Sequence, residues 1–182
     1  KLRARRWLSM EWDPTAAIQI ANRLNRNIEL YLKQGGGRFL RSSTFYEDFI
    51  KTICTINTNW PSTMHMVQSL VTQLGEGCFP DPKQIINAGS QFLKEKARLG
   101  FRADVVHRVS HILIESNVVG ESGDLLTGII TKEDLLDLKG IGPYSANHMM
   151  MLSLDFSSIP IDSEVSIYCK EWFGLNSDEI ES

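Results

Sequence analysis

The chain has 182 residues and a formal net charge of −3, with 42% apolar and 23% charged residues, the balance of a single domain able to bury its own core. The negative charge argues against a protein that grips polyanions by bulk electrostatics alone. Three cysteines at 54, 78 and 169 are too few and too far apart for a disulfide framework or a CxxC metal site, and no apolar run reaches the length of a membrane span.

The opening KLRARRWLSMEWD lacks the apolar stretch of a secretory signal, so an intracellular protein is expected: cytoplasmic at the nucleoid in a bacterium, nuclear or organellar in a eukaryote. Lys1 in place of Met and the polar ending NSDEIES read as those of a piece of a longer chain. Lys1, Arg3, Arg5 and Arg6 form one basic cluster, and Arg98, Arg102, His107 and Arg108 a second. Each is either a solvated face or a nucleic-acid contact. Apolar residues recur at helical spacing over 16–32, 45–56, 64–74, 105–114, 135–138, 145–154 and 165–172, while strand-like alternation is scarce. The expected fold class is therefore all-α, in one compact unit. QGGGR at 34–38 ends the first helix, and Thr44 with Glu47 has the capping-box pattern for the next. FPDP at 79–82 is a break, 85–99 reads as two short helical pieces, and Gly100 is a helix stop. A polar loop over 117–128 precedes Thr131, where KED opens another helix.

Two stretches carry chemistry. LKGIGPYSANHMMML, residues 138–152, places two glycines before a proline-led helix, so several backbone N–H groups gather at a helix N-terminus, an arrangement that suits a phosphate oxygen. A plain tight turn between packed helices would use the same residues. SSIPIDSEVSIY then puts Asp162 18 residues after Tyr144, at the start of a helical pattern, where a simple N-cap is the alternative to a functional carboxylate. His107 and His111 at i, i+4 lack a third partner, so a metal site there is rejected.

The hairpin followed by IPIDSEV resembles the helix-hairpin-helix superfamily of DNA glycosylases, on the side of its 3-methyladenine and 8-oxoguanine branches. FYEDFIKTICTINTNW and LGFRADVV extend the resemblance upstream, so that it covers most of residues 35 to 173. It implies a two-lobed helical fold, with 35–120 as one lobe and 1–34 plus 125–182 as the other. The hairpin, within 134–154, would lie at the lobe interface. The β-rich N-terminal lobe of those branches and their further C-terminal helices are expected to lie outside this chain.

By the same resemblance the amides of Gly140, Gly142 and Ser145 hold a DNA phosphate, with Lys139 adding a contact or standing solvated. The carbonyls of Leu136, Leu138 and Ile141 hold a monovalent cation, Na+ or K+; no cofactor is required. Asp162 is the catalytic carboxylate. Asn57 is the wedge that fills the stack, or a helix cap together with Asn59. Tyr144, His148 and Met151 share a helix face and line the base pocket or the core, and Trp60 joins them or is plain core. An iron–sulfur cluster is excluded, because it needs four C-terminal cysteines and only Cys169 is there. Tyr144 occupies the position where strand-cleaving members carry a lysine nucleophile. The expectation is a monomeric, monofunctional glycosylase acting on double-stranded DNA with a damaged base, most plausibly an alkylated purine. A bifunctional 8-oxoguanine-type enzyme and a non-catalytic DNA-binding module are the alternatives.

Overall fold

The structure is a computed structural model that describes residues 2–126 and 130–180. Among the described residues there are eleven helices: α1 Leu2–Trp7, α2 Thr15–Leu24, α3 Arg26–Lys33, α4 Phe45–Thr55, α5 Trp60–Gln73, α6 Pro82–Glu95, α7 Arg102–Glu115, α8 Lys132–Leu136, α9 Pro143–Leu152, α10 Ser163–Phe173 and α11 Ser177–Ile180. Among them there is no strand, only an isolated bridge between Val119 and Leu125. No described helix is long and apolar enough to cross a membrane.

α4 is the centre. Phe45, Tyr46, Phe49, Ile50, Ile53 and Cys54 are all buried, and the helix packs against α5, α7 and α9 at once. Fully burying such side chains stabilises by about 1.5–3 kcal/mol each, which is why α4 is apolar on nearly every face. A fully buried polar contact, Tyr46 to Ser110 on α7 at 2.5 Å, satisfies both hydroxyls. Burial pushes the Cys54 thiol up to about 12, so this cysteine is inert core.

Several helix starts follow local chemistry. Asn25, Thr44, Asn59, Asp81, Thr131 and Asp162 each accept a backbone N–H from the first turn of the helix they precede. Asp81 and Thr131 complete reciprocal boxes with Gln84 and Asp134. At Thr44 only half of the expected box forms, because Glu47 reaches back to the Ser43 N–H at 3.1 Å.

Four expectations are corrected. The single helix over 16–32 is two, because Asn25 adopts an extended backbone (φ −156°) and caps α3 with its own side chain. The two pieces expected within 85–99 are there, meeting at Gly89, whose φ of 76° breaks the α6 ladder, but α6 ends at Glu95, so Gly100 shapes the turn into α7 and stops no helix. The loop over 117–128 is tied down by buried Val119; its residues 127 and 128 lie outside the described ones. The basic clusters are not uniform patches either: Arg6 is paired to Asp48 at 2.6 Å, Arg102 is buried, and Lys1 lies outside the described residues.

Candidate active site

The hairpin between α8 and α9 is pinned by its apolar residues. Leu138 and Ile141 are buried, and the Ile141 N–H closes the turn on the Leu138 carbonyl at 2.9 Å. Gly140 between them has φ 95°, and a Cβ there would lie 2.8 Å from Val105 Cγ2 on α7. Both its conformation and its packing require glycine. Gly142 differs: its φ is −104° and a Cβ would meet nothing within 4 Å, so it leaves open space over the backbone.

α9 has no side-chain cap, and the amides of Gly140, Gly142, Tyr144 and Ser145 find no acceptor among the described residues. These free donors meet at the positive end of a helix dipole, which is chemistry for an anion. Lys139 is exposed on the hairpin tip. The carbonyls of Leu136 and Ile141 take no backbone donor and that of Leu138 takes one, so oxygen lone pairs remain at all three positions for a monovalent cation.

Tyr144 and His148 lie one turn apart on α9 with ring centroids 5.8 Å apart. Met151 continues that face, half-buried. Burial lowers the His148 pKa below its ordinary value, against the opposing pull of Asp48 and Asp162. The imidazole therefore stands within electrostatic reach of two carboxylates from different elements, and neither of its nitrogens has a hydrogen-bond partner among the described residues. Asp48 is itself committed: Arg6 and the Ser42 N–H, at 2.6 and 2.7 Å, occupy its two oxygens. Asp162 is exposed. One of its oxygens accepts the Val165 N–H at 2.8 Å and the other has no partner among the described residues. It is thus an N-cap and a half-free carboxylate at once.

Asn57 lies just past the end of α4 in the left-handed region (φ 47°), exposed, with its side chain unpartnered among the described residues. Asn59 does the capping, accepting the Ser62 N–H at 2.9 Å. Trp60 is 69% exposed on the first turn of α5, which excludes plain core. It sits with the Asn57 turn, and its ring is not among those in contact with Tyr144 or His148.

Two residues of LGFR enter the site with roles that spacing did not reveal. Arg102 is buried and donates to the carbonyls of Ile56 and Asn57, the latter at 3.2 Å, and so holds the Asn57 turn from α7. Its guanidinium also lies 4.4 Å over the ring of Phe101, an aromatic left 59% exposed beside that turn.

No protein-family model matches the chain, and no curated protein matches it by sequence. Solved structures do. MBOgg1, in complex with a low-affinity DNA ligand, superposes with a TM-score of 0.73 at 18% identity, covering 97% of this chain and 64% of that one. An 8-oxoguanine glycosylase/lyase of Clostridium acetobutylicum, bound to double-stranded DNA with cytosine opposite 8-oxoG, gives 0.73 at 17%, covering 97% and 65%. A 3-methyladenine DNA glycosylase from Archaeoglobus fulgidus gives 0.64 at 18%, covering 99% and 63%. The all-helical fold of this chain is thus shared with part of these DNA glycosylases, and the chain spans slightly less than two thirds of their length.

Proposed function

We propose that the chain is the catalytic helical part of a DNA glycosylase, which turns a damaged base out of duplex DNA and cleaves its N-glycosidic bond. One observation carries this reading: four amides at the hairpin and the start of α9 have no acceptor among the described residues, while Asp162, which caps α10, keeps one carboxylate oxygen free. An anion grip together with a free carboxylate suits a sugar–phosphate backbone with a reacting sugar.

The hairpin amides bind a phosphate and set the register without reading sequence. Asn57, held outward by its turn, enters the stack and helps offset the few kcal/mol lost when the base leaves it. The free oxygen of Asp162 faces the positive charge that grows on the sugar as the bond to the base breaks, and so stabilises the transition state more than the ground state. In hydrolysis a water oxygen forms the new bond to the sugar carbon, one water proton is released, and the base departs with the bonding electrons. Tyr144, His148 and Met151 form one wall of the base pocket.

The two structures of the Clostridium acetobutylicum 8-oxoguanine glycosylase/lyase, with TM-scores of 0.73 and 0.71, superpose better than the 3-methyladenine enzyme at 0.64, which favours an oxidised purine over an alkylated one as the first lesion to test. The same comparison favours a glycosylase/lyase over a simple glycosylase. Against it stands Tyr144, which offers a phenol where that reaction needs an amine. The test is a panel of single-lesion duplexes incubated with the protein and then treated with alkali, which breaks the strand wherever a base has been lost. Breaks above the undamaged control identify the lesion; none on any duplex overturns the enzyme reading and leaves a DNA-binding module.

A further inference from the structure

Arg108 is six residues beyond Arg102 on α7, about 9 Å along the same rod. Its Nη2 donates to the Lys139 carbonyl at 2.7 Å, and the Gly140 backbone packs against it and Val105 together. The helix that holds the Asn57 turn from its first residue therefore also holds the hairpin from its middle. The rest of the Arg108 guanidinium is unmatched. Its Nε is buried without an acceptor, and no described carboxylate pairs with it. A guanidinium keeps its charge at any ordinary pH and has five N–H donors, and burying such a donor unpaired is costly. Beside it are the exposed Lys139 and the four free amides at the α9 terminus, while the carboxylate one turn earlier on α7, Asp104, is engaged by Ser90.

We propose that Arg108 is a DNA-contacting residue, whose Nη donors, anchored on Lys139, reach the same backbone phosphate that the hairpin amides take. This deepens the glycosylase reading and depends on it. Two donor sets from different helices would then close on one anion, α9 with neutral amides and α7 with a full charge. The planar fork suits that geometry better than an ammonium would.

The experiment is anisotropy of an undamaged labelled duplex from 50 to 300 mM KCl, on the full chain, for wild type, R108Q and V105A. Removing one phosphate contact lowers the slope of log K against log[salt] by about 0.9. R108Q is expected to show that loss together with about tenfold weaker binding at low salt. V105A, which loosens the packing under Gly140 without touching charge, weakens binding at an unchanged slope. An R108Q slope equal to that of wild type overturns the proposal, whatever the affinity. A wild type that binds no duplex overturns the glycosylase reading as well. Should R108Q fail to fold, modification of wild-type Arg108 by phenylglyoxal decides: severalfold protection by duplex at low salt supports the contact, and equal rates with and without DNA overturn it.

Discussion

Arg102 on α7 donates to the backbone carbonyl of Asn57 at 3.2 Å and so holds that residue in the left-handed region at the C-terminal end of α4. Three donations from one buried guanidinium satisfy carbonyls that a helix end leaves orphaned. R102M keeps the volume and removes the donors. It should cost about 2 kcal/mol through the unpaired carbonyls, roughly 4–8 °C in Tm. If Asn57 is the wedge, R102M also slows base extrusion, read as 2-aminopurine fluorescence next to the lesion. An extrusion rate equal to that of wild type separates the two residues.

Gly140 and Gly142 look equivalent in the sequence and are not. G140A must place a Cβ against Val105 at φ 95°, so it should lower both Tm and DNA affinity, the latter about tenfold on damaged and undamaged duplexes alike. G142A meets no protein atom and should keep the wild-type Tm while still weakening binding, because its methyl stands where a phosphate approaches. A Gly142 variant with full affinity would place the phosphate elsewhere.

His148 should carry a pH signature. Its folded-state pKa lies below the ordinary value of 6.5 because of burial, so the unfolded chain binds the proton more readily. The neutral ring's contribution to stability is present above about pH 6.5 and is lost as pH falls below it. Wild type should therefore lose Tm between pH 7.5 and 5 more steeply than H148Q, measured by thermal melts in matched buffers. Parallel curves would mean that the ring is already charged or solvated.

The parts of the site that depend on near neighbours in sequence were legible in it. Glycine spacing placed the hairpin, and the IPID step marked Asp162 at a helix start. Relationships across the fold were not legible. Asp48 meets Arg6 across 42 residues and Arg102 meets Ile56 across 46, and nothing local in either pair says that a charged side chain will be buried. The break at Asn25 was missed for the opposite reason: apolar periodicity ran straight through a residue whose side chain prefers to cap. Asn57 and Asn59 were interchangeable until the backbone gave one a cap and the other a left-handed turn.

D162N should abolish base release and spare the fold. Asn is as good an N-cap as Asp, so the bond to the Val165 N–H and the start of α10 survive. What disappears is the negative charge facing the sugar, and single-turnover excision should fall by roughly three orders of magnitude with duplex affinity nearly unchanged. Excision by D162N at the wild-type rate would remove Asp162 from the reaction.

Reaction type turns on Tyr144. A phenol cannot form an imine with the opened sugar, so hydrolysis would leave an intact strand bearing an abasic site, and borohydride would trap no protein–DNA adduct. An enzyme of the glycosylase/lyase kind would be trapped efficiently. Trapping must then come from another amine, and Lys139, exposed on the hairpin, is the nearest in sequence. K139Q decides between sources: loss of the adduct with base release retained assigns the amine to Lys139, and an adduct that survives K139Q points to a lysine on another element. A wild type that releases base and gives no adduct leaves water as the nucleophile.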